Sequence, residues 1–158
     1  MKHWKSWVPV VAAALLIGAS AVPRSPAALK VNFSVPFPRD GYAKLNLRKG
    51  AIRFEEIIVR NPPDEDDIRD ARRDDPGDHC HPKLSVGLSN TGRVPYKFHM
   101  VLQLEDARGK VLMRCDRNDD IDAGDVNDHT HFCWLDSMRT LDYPRIAKIR
   151  IIAEFKPD

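Results

Sequence analysis

The sequence predicts an all-β protein built as an antiparallel β-sandwich with one polar insertion. Apolar and polar residues alternate with a period of two in several separate segments, which is typical of strands that bury one face. Turn-forming residues separate the later segments, at 89–95, 105–110 and 121–125. Short strands divided by turns at such intervals, with no long helical pattern between them, favour a sandwich.

The strongest predicted strand spans residues 94–106, where five apolar residues alternate with mostly polar ones: Tyr96, Phe98, Met100, Leu102 and Leu104. Other strands are predicted before and after it, at 29–37, 42–48, 52–59, 83–90, 110–115, 126–135 and 146–155. Pro36 lies in the first of these and Pro38 directly follows it. We therefore expect that strand at the edge of a sheet, where a missing backbone N–H is tolerated.

Residues 61–79 form a charged segment that is too polar to enter a core. Asp64 has the residue type of a helix N-cap, and the Pro-Gly at 76–77 would end a helix. The segment therefore predicts a short helix that runs through Arg72 or Arg73. A disordered loop is the alternative interpretation, because so charged a segment buries little apolar surface.

Residues 1–21 have the layout of a secretory signal peptide. Lys2 and Lys5 precede an apolar run, and Ala19 and Ala21 stand at the third and the last position before the expected cleavage site. The run falls short of the roughly 18 apolar residues that a spanning helix needs, which disfavours an uncleaved anchor. We expect a secreted or periplasmic protein with no stable membrane insertion after cleavage.

The single mature domain expected after cleavage, residues 22–158, is close to neutral. The chain holds 25 basic and 23 acidic residues, and loss of the signal peptide removes Lys2 and Lys5 but no acid, which leaves 23 of each. A nucleic-acid binder usually carries a basic excess gathered on one face. The charge therefore argues against nucleic acid. We expect a protein partner, with the acidic tip of the Asp-rich stretch at 115–133 as its interaction surface.

Cys115 and Cys133 lie symmetrically about Gly124 in an Asp-rich stretch. If the flanking strands pair as a hairpin with residues 123–125 at its tip, the two cysteines come opposite each other, where a disulfide becomes feasible. Such a bond would stabilise the fold by about 3 kcal/mol in the chain-entropy model. The alternative pairs Cys80 with one of them, and either arrangement leaves one cysteine unpaired within the molecule.

Two His-x-His pairs suggest a transition-metal site. His129 and His131 are one residue apart on a predicted strand, so both are expected on one face, where zinc or copper would need a third ligand. The candidates for that ligand are His99, on the mixed face of the strongest strand, and the second pair, His79 and His81. The alternative interpretation is that these histidines only line solvated strand faces.

The Asp-rich stretch also offers oxygen ligands for calcium. Asp116, Asn118 and Asp120 have the spacing of the first three EF-hand ligands, but Ile121 stands where that loop needs glycine and Asn127 where it needs glutamate. Two interpretations remain, a solvated polar turn and an irregular calcium loop formed by Asp116, Asn118, Asp120 and Asp122.

The sequence carries no catalytic signature. It lacks Gly-x-Ser-x-Gly, His-Glu-x-x-His, a P-loop and a dinucleotide-binding fingerprint. A hydrolase would have to rest on the crowded aspartates alone, and carboxylates so crowded on a polar turn are usually just solvated. We therefore expect no catalytic residues and no enzyme.

The succession LSVGLSNTG, LQLEDARGKVL and IDAGDVNDHTHF, followed by a final hydrophobic strand, resembles small bacterial immunoglobulin-like domains of the CARDB or FxLYD kind. The resemblance covers residues 84–155, although the last strand reads IIAEFKPD and lacks the FxLYD signature itself. It implies an immunoglobulin-like sandwich that works as an exported binding or assembly module without enzymatic chemistry.

Overall fold

A computed structural model describes residues 27–134 and 138–158, with side chains throughout these ranges except at residues 130–134. The predicted signal peptide, residues 1–21, lies outside the described residues. The chain is an antiparallel β-sandwich with one short helix, so the predicted fold class is confirmed. Within the described part of the chain, no helix is long and apolar enough to cross a membrane.

Two four-stranded sheets form the sandwich. Sheet A has the strand order β1 (Leu29–Pro36), β10 (Ile146–Pro157), β6 (Tyr96–Asp106) and β7 (Val111–Ile121). Sheet B has the order β2 (Tyr42–Lys49), β3 (Ile52–Arg60), β5 (Lys83–Asn90) and β8 (Asp128–Trp134). A small third sheet pairs β4 (His79–Cys80) with β9 (Met138–Arg139), and the strands β1, β7, β2 and β8 are the edges of the two large sheets.

The period-two pattern of each strand determines which side chains enter the core. On β6, Met100, Leu102 and Leu104 are fully buried, and the alternate residues Lys97 and His99 are exposed. Phe54 of sheet B contacts both Phe33 and Phe155 of sheet A, which joins the two sheets, and Phe155 contacts Phe98 within sheet A. Each large side chain buried in this way stabilises the fold by roughly 1.5–3 kcal/mol.

The charged segment 61–79 contains the predicted short helix, α1 (Glu65–Arg73). Its N-terminus is closed by a reciprocal capping box: the Asp64 carboxylate accepts a hydrogen bond from the Asp67 backbone N–H at 2.8 Å, and the Asp67 carboxylate accepts one from the Asp64 N–H at 3.0 Å. The alternative of a disordered loop is therefore wrong. A short 3-10 helix, Thr140–Arg145, precedes β10 and contacts α1.

The strands on either side of Gly124 do not pair, which corrects the predicted hairpin. β7 pairs with β6 in sheet A, and β8 pairs with β5 in sheet B. The connection between them is held at the end of β5, where the Gly124 N–H donates to the Asn90 carbonyl and the Asn90 N–H donates to the Asp125 carbonyl, both at 2.9 Å. These hydrogen bonds hold the connection where the chain passes from β7 in sheet A to β8 in sheet B.

Candidate functional site

The sandwich is open along one side, where the edge strand β1 of sheet A and the edge strand β2 of sheet B border a groove. We call it the β1–β2 groove. Its apolar wall consists of residues from both strands: Val31, Phe33, Val35, Leu45 and Leu47. All of them point towards the core but are only partly covered, and Leu47 remains 38% exposed.

The groove exists because sheet A ends at β1. The inward side chains of the neighbouring strand β10 are covered on both sides, and Ile149 and Ile151 are completely buried. The inward side chains of β1 have a neighbouring strand on one side only, so Val31 and Val35 stay half-buried. Exposed apolar surface of this continuous kind often marks an interaction site.

The two edges that border the groove differ in regularity. β1 pairs with β10 over eight consecutive residues without a shift in register. The register of β2 against β3 shifts between Lys44 and Leu47, where Asn46 has a positive φ of 51°. A bulge of this kind blunts an edge against a further strand. The outer edge of β1 is therefore the better template for strand pairing.

All charged side chains that line the groove in the described residues are basic. Lys30, Arg48 and Lys49 lie together at one end of it, and Lys44 is the single cation that the described part of the chain places at the other. Lys30 forms a loose ion pair with Glu154, at 3.6 Å, and the Arg48 Nε donates to the Gly50 carbonyl at 2.9 Å. The groove is consequently basic at one end and mostly apolar at the other.

A second polar cluster lies on the outer face of sheet B, around Glu56 of β3. The Glu56 Oε1 atom is 3.5 Å from His129 Nε2 and accepts a hydrogen bond from Asn127 Nδ2 at 3.2 Å. A hydrogen bond from the Tyr42 hydroxyl to the Glu56 carboxylate raises the pKa of Tyr42. We call these four residues, from three strands and a turn, the Glu56 cluster.

Gly87 of β5 makes room for the Glu56 cluster, because it lies between Glu56 and His129 in the sheet. A Cβ atom at Gly87 would lie only 2.4 Å from Asn127 Oδ1 and 3.0 Å from the Glu56 Cγ. The Asn127 Oδ1 is buried and has no hydrogen-bond partner among the described residues. Glu56 is not among the site residues predicted from the sequence, although two consecutive glutamates interrupt the alternation of β3 at the bulge between Phe54 and Glu56.

The structure separates the predicted metal ligands. His129 is on the outer face of sheet B, whereas His99 is on the outer face of sheet A, where its Nδ1 lies 2.9 Å from Asn118 Oδ1. The core between the sheets prevents these two histidines from sharing an ion in one molecule, which corrects that combination. His131 pairs with Ser85 through its backbone, and its side chain is not described.

The second His-x-His pair lies outside both large sheets. His79 pairs with Arg139 in the small third sheet, and His81 falls between β4 and β5. Among the side chains that the structure describes, no three from His, Cys, Asp and Glu are grouped so as to hold a metal ion. The partner that the structure brings to His129 is Glu56.

The predicted calcium loop is mostly a strand. Asp116, Asn118 and Asp120 lie on β7, and only Asp122 follows it. Asp116 and Asp120 are four residues apart on an extended strand, which places their backbones about 13 Å apart along it. Calcium binds its oxygens at about 2.3–2.6 Å. The three strand residues therefore cannot converge on one ion, and the assumption of a loop was wrong.

Cys80 is a buried free thiol, and its Sγ lies 3.6 Å from the Met138 carbonyl oxygen. Burial raises the pKa of this thiol. Because the Cys80 thiol is free, the alternative disulfide between Cys80 and Cys115 or Cys133 is wrong. Cys115 of β7 packs against the core. The side chain of Cys133 is not described, so the disulfide between Cys115 and Cys133 stays a prediction, now as a bond between the edge strands of two sheets.

No family model matches this sequence, and no curated protein matches it either. The resemblance to CARDB and FxLYD domains stays a prediction.

Proposed function

We propose that this chain is an exported, non-enzymatic binding module that takes up an extended segment of a partner protein beside β1. Export follows from the signal peptide predicted at residues 1–21. The observation that carries the proposal is the row Val31, Phe33 and Val35, half-buried next to a regular strand edge. Such an edge accepts a further strand through its backbone.

An added strand would complete sheet A. It would lie about 4.8 Å from β1, and its alternate side chains would point into the β1–β2 groove. Backbone hydrogen bonds to β1 would supply affinity, and the fit of apolar side chains against Phe33 and Leu47 would supply specificity. Pro36 limits the pairing at the end of the strand, since proline has no N–H to donate. The accepted segment would therefore span the residues opposite Leu29 to Val35.

Phage display tests this function, with a library of random nonapeptides selected against the protein. We expect enrichment of sequences with alternating apolar residues, and we expect Val31→Lys to abolish their binding, because a lysine that points inward opposes a further strand. The matched control is Val111→Lys on the other edge of sheet A, where the valine is already 43% exposed.

The outcome is read from the two variants together. Both should keep the far-ultraviolet circular dichroism of the parent. Failure to enrich any sequence would overturn the proposal, as would peptides that bind the Val31→Lys variant as well as the parent.

A second candidate function is zinc or copper binding, favoured by the distance between Glu56 and His129. Two ligands on a tetrahedral zinc ion, at about 2.0–2.2 Å from it, are about 3.4 Å apart. The Nε2 to Oε1 distance in this protein is 3.5 Å. His131 is the nearest further histidine along β8.

Isothermal titration with zinc chloride tests this candidate. The expectation is stoichiometric binding that His129→Ala and Glu56→Gln each weaken at least tenfold, about 1.4 kcal/mol. His99→Ala is the control, because His99 lies on the opposite face of the sandwich. Equal loss in all three variants, or no heat of binding, would reject it.

A further inference from the structure

We infer that the segment bound beside β1 is acidic at one end, the end that lies against Lys30, Arg48 and Lys49, and this inference rests on the proposed function. These three cations border the same end of the β1–β2 groove, together with the apolar side chains of Val31 and Phe33. Lys30 is already paired with Glu154 on the outer face of sheet A, at 3.6 Å, and no acidic side chain among the described residues lines that end of the groove itself. A segment with aspartate or glutamate there would find complementary charge, and a basic segment would be repelled.

The opposite end of the groove has a different character. It is bordered by Pro36, Phe37, Pro38 and Tyr42, and Lys44 is the single charged side chain there among the residues that the structure describes. Arg39 lies close in sequence but its guanidinium is occupied, because it donates to the carbonyls of Tyr143 (3.1 Å) and Pro144 (2.7 Å). The groove is therefore polarised, and a bound segment would be oriented by its charge.

The polarity of the groove also predicts the direction of the segment. β1 begins at the basic end, near Lys30, and finishes at Pro36. Antiparallel pairing is slightly more stable per residue than parallel pairing, and every pairing within the two large sheets is antiparallel. An antiparallel segment finishes where β1 begins. Its acidic residues therefore belong at its C-terminal end.

A peptide segment fits these observations better than an anionic lipid. The acyl chain of such a lipid would gain from the apolar wall and its anionic headgroup from Arg48 and Lys49, but the lipid has no backbone groups to pair with the regular edge of β1. The groove is also an open channel between two edges and does not enclose a chain on all sides. Strand pairing together with charge selects an extended peptide.

Three synthetic peptides test the inference, each with seven alternating valines and threonines and one pair of charged residues. The first has two aspartates at its C-terminal end, the second has two lysines there, and the third has the aspartates at its N-terminal end. We expect the first to bind at least tenfold more tightly than the other two by fluorescence anisotropy. Raising the ionic strength from about 0.05 M to about 0.5 M should reduce that preference, since exposed charges are screened.

Charge reversal in the protein is the matching test. Lys49→Glu alone and Arg48→Glu/Lys49→Glu together should remove the preference for the first peptide, and the double variant should favour the lysine peptide. The single variant Lys49→Glu keeps the hydrogen bond from Arg48 to Gly50, so a loss of preference in this variant cannot come from loss of that bond. The control is Lys110→Glu/Arg114→Glu, at the opposite edge of sheet A, which should leave the preference unchanged.

The outcomes distinguish failure of the acidic-segment inference from failure of the proposed strand-binding function. If all three peptides bind equally and Val31→Lys abolishes binding, the acidic partner is wrong and the strand-binding function stands. If none of them binds and the library yields nothing, both are wrong. Tighter binding of anionic phosphatidylglycerol vesicles than of the first peptide would overturn the inference. Self-association on gel filtration that Val31→Lys abolishes would overturn it too, since the occupant would then be a second copy.

Discussion

The ring of Phe33 meets the ring of Phe54 edge-on, with centroids 5.0 Å apart. Phe33 belongs to the edge strand of sheet A and Phe54 to the interior of sheet B, so this contact joins the two sheets under the β1–β2 groove. The same ring is thus part of the core and part of the groove wall.

Phe33→Ala should therefore destabilise the fold as well as alter the groove. Since Phe33 is half-buried, we expect a loss of about 2 kcal/mol in the free energy of unfolding, below the 3–5 kcal/mol typical of a fully buried phenylalanine. Urea denaturation followed by circular dichroism measures it. Val111→Ala, at an exposed position on β7, should change stability by less than about 0.5 kcal/mol. A Phe33→Ala variant as stable as this control would contradict the inter-sheet role of Phe33.

Gly87→Ala should destabilise the protein through Asn127. The new Cβ atom would come within 2.4 Å of Asn127 Oδ1 and force that side chain out of the Glu56 cluster. The expected cost is about 1–3 kcal/mol, the range for overpacking a filled site. A double-mutant cycle with Asn127→Gly provides the control, because glycine tolerates the positive φ of 52° at that position. The two substitutions should be non-additive, with Gly87→Ala costing little once the Asn127 side chain is gone; additive effects would argue against the clash.

Glu56→Gln should lower the pKa of Tyr42. The Glu56 carboxylate accepts a hydrogen bond from the Tyr42 hydroxyl and repels the tyrosinate charge, so it raises the pKa of Tyr42 in the folded state. The stability that comes from this interaction is present below the ordinary tyrosine pKa of about 10 and is lost as the pH rises through the raised value. In the Glu56→Gln variant this loss at high pH should be smaller.

Nuclear magnetic resonance of ring-labelled tyrosine, recorded as a function of pH, measures the titration directly. Tyr143 is the internal control, since its pKa is raised mainly by burial and should not respond to Glu56→Gln. A Tyr42 titration that is identical in parent and variant would show that the hydrogen bond to Glu56 does not form in solution.

Thiol alkylation should distinguish the three cysteines. Cys80 is buried and its thiol pKa is raised, so little thiolate forms and iodoacetamide should react with it slowly in the native protein. Unfolding without reduction should release one reactive thiol, at Cys80, and reduction should expose Cys115 and Cys133. Intact mass spectrometry counts the added groups. Alkylation of Cys115 or Cys133 before reduction would exclude the predicted disulfide.

The sequence by itself determined most of the strands and their buried faces, and it predicted the helix, but it missed the second half of β7 and the short strands β4 and β9. Alternation with a period of two specifies which side chains of β6 face the core, and it does so whichever strand lies beside β6. The helix is also determined by local sequence, because the capping box between Asp64 and Asp67 involves residues only three positions apart. The edge position of β1 was also predictable, since proline removes a backbone donor.

Only the tertiary structure decided which strands are neighbours, and with them the candidate sites. Alternation cannot tell that β7 and β8 belong to different sheets, that His99 and His129 lie on opposite faces, or that β2 borders β1 across the groove. These relations depend on how the two sheets pack, which is a long-range property of the whole chain. For the same reason Glu56, which lies 73 positions from His129 in the sequence, is brought to it only by the order β3, β5, β8.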